Sequence, residues 1–459
     1  MMQKNEIISL EITDMSHEGN GVGHFDGMAV FVPDSAAGDS LSVRIVKVNK
    51  SHCYGKIEQI VAPSPDRISP DCAVSRRCGG CKFRHVSYEA ELRYKQEFVQ
   101  SNLRRIGGFA LEVEPIAPSP QQDGYRNKAQ YPVRLQKNGL CAGFFAPRTH
   151  EVIDCHDCRL QPLEFETILE TVLTFVKKYE ITVYDETTGK GLLRHIYLRH
   201  GQESGETMVC LVVNGDRLPH VEELVKLLLN CSEKIVSILL NVNTQNTNVI
   251  MGKVTKLLYG KPFISDTLCG VSFDLSPLAF YQVNHDGAQQ LYQIAADYAG
   301  LTGNEILLDL YCGAGTIGLS MAHRCKEVIG VEIIPEAIEN AISNAAKNGI
   351  QNARFFCADA AKAAERLANE GIRPDIIVLD PPRKGCDASV LQSVARMSPD
   401  RIVMVSCNSS TMARDCAVLR DLGYQMQRCR PVDMFPRTNH VETCVLLSHK
   451  NPQTSPPSL

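Results

Sequence analysis

No stretch of this chain approaches the run of apolar residues that a bilayer span requires, so a membrane-spanning protein is not expected. It also lacks an N-terminal apolar segment followed by a small-residue cleavage site. With 18 cysteines spread along 459 residues, a small disulfide scaffold is excluded, and the expected setting is a reducing, cytoplasmic one. Thiols there are free to bind metal or act as nucleophiles. No internal repeat is visible, which argues against solenoids and propellers. Nor does one sign of charge dominate: 48 Lys and Arg against 52 Asp and Glu leave a formal charge of -4. That balance hides an uneven distribution. From 76 to 148 there are 13 basic and 6 acidic residues, and from 41 to 57 four basic residues and no acid. Local basic faces on an acidic chain suit nucleic acid, though a merely solvated basic surface gives the same count.

What is present is globular: 44% hydrophobic and 22% charged residues, in a chain long enough for two or three domains. Residues 1–60 alternate as short antiparallel strands do, at 7–12, 28–32, 41–48 and 54–61, which suggests a small closed barrel. Arg44, Lys47, Lys50 and Lys56 could line a face of it for single-stranded nucleic acid. A proline-marked linker follows, then a central α+β region over 61–265, with helices expected at 88–106 and 163–179 and strands at 125–154, 195–199 and 208–213. Beyond it, over 266–450, apolar strands at 306–310, 327–331, 353–357, 375–379 and 401–406 alternate with helices, the rhythm of a doubly wound α/β domain. The segments 424–434 and 441–448 lie too close for a crossover, so they are expected to pair antiparallel at the sheet's end. The polar, proline-rich residues 451–459 read as a disordered tail.

The chain is organised around 305–318, EILLDLYCGAGTIG. A buried strand runs into a turn bearing Gly313, Gly315 and Gly318 and then into a helix over 316–324, which is how a nucleotide-like cofactor is seated. A second strand ends in Glu332, where a carboxylate accepts from ribose hydroxyls. The spacing fits a nicotinamide dinucleotide or S-adenosylmethionine. Three further stretches bear on the choice. Asp380-Pro381-Pro382-Arg383 follows a strand, so it faces the same crevice with a stiff wall and a carboxylate, unless it is an ordinary loop. In Ser406-Cys407-Asn408 the thiol sits between a strand and a helix, whose donors are expected to lower its pKa and favour the thiolate; the plain alternative is one more buried cysteine. The loop Phe435 to Glu442 offers His440 and Glu442 as proton acceptors, and the company of Cys407 and Asp380 sets Glu442 apart from a solvated acid.

Taken together these stretches resemble the RNA uracil-5 methyltransferases, which make 5-methyluridine with S-adenosylmethionine. The resemblance covers nearly the whole chain: the opening barrel looks like a TRAM domain, and Phe280-Tyr281-Gln282-Val283-Asn284 looks like the segment contacting the amino-acid end of the cofactor. It implies a Rossmann-like catalytic domain with cofactor contacts at Gln282, Tyr311, Glu332 and Asp380, the nucleophile at Cys407 and the base at Glu442, with Asp380 also facing the target base. The thiolate adds to carbon 6 of uracil, which makes carbon 5 nucleophilic, and the base then removes the hydrogen of carbon 5. The target base must leave its stack, which favours loops over duplex.

Cys72, Cys78 and Cys81 have the spacing C-x5-C-x2-C, and Cys155 and Cys158 offer a fourth thiolate. Clustered cysteines in a reducing setting imply metal, zinc being the default for two C-x2-C pairs. The resemblance implies a [4Fe-4S] cluster instead, with Cys158 as fourth ligand, as in the ribosomal RNA branch of the family. A structural or RNA-positioning role is expected for it, because the reaction needs no electron. The expected partner is accordingly 23S ribosomal RNA and the expected state a monomer. Transfer RNA is the alternative substrate, a branch expected to match only the later part of the chain. A non-catalytic RNA-binding or redox module is a further alternative. A dehydrogenase leaves Cys407, the Asp-Pro-Pro wall and the basic N-terminal half unexplained.

Overall fold

The computed structural model describes residues 2–137 and 139–449, so the tail expected at 451–459 lies outside the described residues. Three large sheets organise the chain. In the first, Ile7–Glu11 pairs with Ser40–Val48, which pairs with His52–Ala62; that strand runs parallel to Met28–Val32, the neighbour of Gly21–Phe25. Leu41, Val43 and Ile45 are fully buried while Ser42 and Arg44 stay nearer the surface, the period of two that a half-buried strand needs. The sheet curls until Gly21–Phe25 meets Ile7–Glu11, and a Cβ on Gly23 would fall 2.4 Å from the Glu11 carbonyl oxygen. Glycine there is what lets the strands close up.

The second sheet runs in the order Val254–Gly260, Ile235–Val242, Thr207–Val213, Leu193–His200, Lys128–Gln136, Gly139–Phe145, Val152–Asp154. Helices Glu164–Lys178 and Val221–Cys231 pack on it through residues such as Phe165, Leu169, Leu224 and Leu228. The two central strands Leu193–His200 and Thr207–Val213 are buried along their whole length.

The third sheet has the order Ala353–Cys357, Glu327–Glu332, Ile306–Leu310, Ile376–Leu379, Arg401–Ser406, Glu442–His449, Tyr424–Val432. The first five strands are parallel and the last two antiparallel, with Glu442–His449 inserted between Arg401–Ser406 and Tyr424–Val432. Leu307, Leu308, Ile377, Val378, Ile402 and Val403 are fully buried, each such side chain contributing about 1.5–3 kcal/mol. The α/β class expected from the sequence holds, with a barrel first, a mixed sheet next and a doubly wound sheet last.

The helix Tyr88–Arg105, capped by Ser87, packs on this third sheet and not on the second: Val99 and Leu103 join Met412, Cys416 and Leu419 in one core. The chain after it lies along the edge strand, with the Glu114 N–H donating to the Cys429 carbonyl at 2.8 Å. Among the described residues, no helix is long and apolar enough to cross a membrane.

Candidate active site

Strand order reverses at Ile306–Leu310, where chain direction sends one neighbour to each side and leaves a crevice at the C-terminal ends. A cavity of about 930 Å³ opens there. Gln282, Tyr311, Glu332, Asp380, Cys407 and Glu442 all line it, so the six residues singled out in the sequence share one space. Its size is that of a small-molecule site, about 300–1,000 Å³.

The glycine-rich turn forms its floor. Tyr311, at φ 69°, turns the chain out of the strand, and Gly313 and Gly315 follow at 55° and 81°. The helix expected over 316–324 is shorter, α-helical through Thr316–Met321 and then 3-10 over Ala322–Arg324. A Cβ on Gly318 would sit 2.9 Å from Asp309 Oδ2, which accepts the Gly318 N–H. Burial pushes Asp309 up to about 8, so beneath the turn lies a neutral acid whose Oδ1 is buried without a partner. Glu332, the last residue of its strand, braces the turn: Oε2 accepts from the Gly313 N–H at 3.2 Å, and Oε1 from those of Ile333 and Ile334.

The segment around Gln282 is fixed on both sides. Asn284 caps the helix His285–Ala299 by accepting from the Gly287 N–H and donates to the Met434 carbonyl, while Asn127 donates to the Gln282 carbonyl at 2.9 Å. Phe280 projects outward, 71% exposed at the cavity mouth.

Cys407, Asp380 and Glu442 come from three adjacent strands. Leu379 is level with Met404, and Ser406 with Thr443, which sets Asp380 and Cys407 just past their strands and Glu442 at the first residue of its own, at one end of the sheet. Asn408 and Thr411 donate to the Arg383 carbonyl, tying the Asp-Pro-Pro-Arg loop to the cysteine loop. Burial raises Asp380 to about 7; burial, then the Asp380 charge, raise Glu442 to about 8, with Arg383 opposing. The thiol departs from expectation. Cys407 is raised, not lowered: burial, Glu442 and Asp380 outweigh Arg383, which hydrogen-bonds to it. At the helix end the Asn408 side chain accepts from the Ser410 N–H. His440 is pushed down to about 4 by burial and by cations, Arg383 first, and so is neutral at pH 7.

The second candidate centre lies apart. Cys72, Cys78, Cys81, Cys155 and Cys158 line one cavity of about 110 Å³, with Arg84 and Arg126 beside them. The Cys155 thiol hydrogen-bonds to Cys158 and lowers its pKa. All 18 cysteines are free thiols. Among the described residues no three His, Cys, Asp or Glu side chains are arranged to hold a single metal ion. A compact zinc tetrahedron is thus not preformed. A four-iron cube holds its thiolates further apart, and five thiols with the three guanidinium groups of Arg84, Arg126 and Arg159 are a donor set that would fit it.

Three features escaped the sequence. Lys95 is fully buried, paired with Glu91 at 2.6 Å and Asp433 at 2.7 Å, and donates to the Phe435 carbonyl, so it anchors the start of the loop that leads to Glu442. Its trace was a Glu-Lys pair four apart on an apolar helix face. Lys128 lines the active-site cavity and is pushed down to about 8 by burial and by Arg199. On the barrel, Phe31, His52 and Tyr54 form an aromatic group with centroids 5.4–5.7 Å apart.

Residues 87–450 match the profile of the tRNA (uracil-5-)-methyltransferase family, and residues 3–57 that of the TRAM domain. The chain belongs to this methyltransferase family. It is therefore an S-adenosylmethionine-dependent RNA methyltransferase of the uracil-5 type. An uncharacterized RNA methyltransferase of Halalkalibacterium halodurans is 43% identical over 451 residues, 98% of each chain. A second, from Clostridium tetani, is 40% identical over 448 residues, 98% of this chain and 97% of that one. Among solved structures, the tRNA (uracil-54, C5)-methyltransferase of Pyrococcus abyssi, in complex with S-adenosyl-L-homocysteine, matches with TM-score 0.79 and 29% identity, spanning 96% of this chain and 100% of that one. A methyltransferase acting on transfer RNA thus matches barrel and catalytic sheet alike. The expectation that full-length likeness marks the ribosomal branch does not hold.

Proposed function

We propose that this methyltransferase modifies carbon 5 of a uridine in 23S ribosomal RNA. Cys407 adds to carbon 6 of the extruded base, and the negative charge so created passes to carbon 5 and its neighbouring carbonyl. S-adenosylmethionine, when bound, supplies an electrophilic methyl carbon. Glu442 then takes the proton from the methylated carbon 5, and the returning electron pair expels the Cys407 thiolate and restores the ring. Arg383 steadies the thiolate in the first and last steps. The methyl donor would be held by Glu332 at the ribose hydroxyls, by the bare turn at Gly313, where a Cβ would meet open space, and by Gln282, Tyr311 and Asp380 towards the sulfonium and amino-acid end.

The observation that carries this reading is that a cysteine, a buried high-pKa carboxyl and the glycine-rich turn face one cavity. The cysteine site would take a [4Fe-4S] cluster on Cys72, Cys78, Cys81 and Cys158, with zinc as the less suited occupant; its chemistry is that of an anionic thiolate-bound scaffold. The barrel, residues 1–60, would hold RNA beside the central region, 61–265, and the catalytic region, 266–450, in a monomer working in the cytoplasm. The cysteine set favours ribosomal RNA; the likeness to the Pyrococcus abyssi enzyme favours transfer RNA as the second reading.

Trapping separates them. A 23S fragment containing 5-fluorouridine is expected to become covalently joined to the protein on a denaturing gel only with S-adenosylmethionine, because fluorine cannot leave as a proton. The band should vanish in Cys407→Ala. A band with transfer RNA alone moves the substrate, and no band with either leaves a binding module.

A further inference from the structure

Arg126 lines both cavities, the active site beside Gln282 and His440 and the cysteine site beside Cys158. Its backbone spans them too. The Arg126 N–H donates to the Leu160 carbonyl at 2.9 Å, two residues past Cys158, and the next N–H, of Asn127, donates to the Val283 carbonyl at 2.8 Å. The other end of the cysteine set is tied in the same way. Lys82 and Phe83, directly after Cys81, donate their N–H groups to the Arg437 carbonyl at 2.7 and 3.1 Å, inside the loop that leads to Glu442, and the Tyr125 hydroxyl donates to the Pro436 carbonyl. Each half of the cysteine set therefore ends in hydrogen bonds to a segment bearing active-site residues.

The Arg126 guanidinium has no carboxylate partner among the described residues; it hydrogen-bonds to the Tyr125 side chain, and its Nε is buried without a hydrogen-bond acceptor. The other two cations of the cysteine cavity are paired, Arg84 with Asp71 at 3.0 Å and Asp123 at 2.6 Å, and Arg159 with Asp71 at 3.6 Å. Arg126 thus sits between two places where negative charge arrives with a ligand: thiolates on one side, the RNA backbone on the other.

We propose that Arg126 is a positioning residue through which the filled cysteine site sets RNA binding in the methyl-transfer cavity. This rests on reading the cysteines as a cluster site and the cavity as the methyl-transfer site. Filling the site holds residues 125–128 and 435–442 in place, and Arg126 presents its guanidinium to a phosphate of the target strand.

The test uses the full chain, wild type and Arg126→Gln, each purified anaerobically with iron and then stripped by a chelator. Four quantities are read: iron content with its visible absorption, S-adenosylhomocysteine affinity, affinity for an unmodified transcript of the RNA that gives the fluorouridine adduct, and amide exchange. Arg126→Gln should keep its iron and bind S-adenosylhomocysteine within about twofold, yet bind RNA about tenfold more weakly, with Arg126→Lys recovering part of the loss. Stripping the wild type should cost about the same tenfold and speed exchange at 282–284 and 435–442, whereas stripping Arg126→Gln should cost little more. Losses that multiply, or RNA affinity untouched by stripping, overturn the coupling. Exchange that rises everywhere, with S-adenosylhomocysteine binding lost, also overturns it, because the site would then serve the whole fold. A chain that takes up no iron sinks the cysteine reading and this proposal together, and one that gives no adduct with either RNA sinks the proposed reaction.

Discussion

Cys407 directly follows one strand and Glu442 opens its antiparallel neighbour, where the register pairs Ser406 with Thr443. Burial and then Glu442 make the thiol harder to ionise, and Glu442 itself is raised to about 8 by burial and then by Asp380. At neutral pH both groups therefore keep their protons, and Arg383 is the cation that favours releasing them. A sulfonium bound in the same cavity would favour the ionised form of each.

Glu442→Gln should stall the reaction after methyl transfer. Adduct formation persists, since Cys407 loses a repelling neighbour, but the proton on carbon 5 has no acceptor, and a methylated covalent protein-RNA complex accumulates on a denaturing gel. Turnover should fall at least about 10³-fold. In the wild type the rate should rise with pH through about 8, where Glu442 becomes the free base. Normal turnover by the variant would move the base elsewhere, with the neutral His440 the next candidate.

The same acids make stability depend on pH. Asp309 at about 8, Asp380 at about 7 and Glu442 at about 8 all bind protons more tightly folded than unfolded. Their contribution is complete below the unfolded value, near 4, and is lost as pH rises through 7 to 8. Asp309→Asn should therefore melt above the wild type at about pH 9, by roughly 1–3 kcal/mol, and differ little at about pH 5. Equal shifts at both pH values would show that Asp309 is not a titrating group in this window.

What could be read locally was read well, and what depends on distant partners was not. The run at 306–310, apolar but for Asp309, reads as a covered parallel strand, and Ile306–Leu310 is one. Gly21–Phe25 carries little strand signal because two of its five residues are glycines, and the need for Gly23 shows only in its approach to the Glu11 carbonyl. The docking of Tyr88–Arg105 on the third sheet leaves no mark in its own periodicity. Cys407 is the instructive case: the helix beside it argues for a low pKa, while burial, followed by carboxylates 35 and 27 residues away in sequence, at Glu442 and Asp380, raises it.

Serine substitutions sort the cysteine site. Cys72→Ser, Cys78→Ser, Cys81→Ser and Cys158→Ser should each lose most of the iron and its visible absorption, and Cys155→Ser should keep both. Iron lost with Cys155 instead of Cys158 exchanges the fourth ligand, and zinc found in the wild type replaces the cluster by a single ion.

Lys95→Met should destabilise the protein by about 3–5 kcal/mol, because Glu91 and Asp433 lose the ammonium they share in a fully buried site. Denaturant unfolding measures this. The loss should reach the active site as well, since Lys95 also holds the Phe435 carbonyl at the start of the loop to Glu442. A variant as stable as the wild type would mean that the two carboxyls simply take up protons.

RNA binding by the barrel should depend on the aromatic group more than on the basic residues counted in the sequence. Of those, Arg44 is already paired with Glu58 at 2.7 Å, leaving Lys47, Lys50 and Lys56 exposed. Phe31 and Tyr54 are level on adjacent parallel strands, with His52 against both and Lys47 opposite Tyr54. Aromatic faces beside a cation are what successive unpaired bases stack on, at about 1–3 kcal/mol per base. Tyr54→Ala should weaken binding of a single-stranded transcript about tenfold at any salt concentration and leave S-adenosylhomocysteine binding alone. Lys47→Ala should instead lower the slope of log affinity against log salt by about 0.7. If Tyr54→Ala binds RNA as the wild type does while Lys47→Ala does not, the barrel holds the backbone by charge alone, and selection of the uridine falls to the cavity around Cys407.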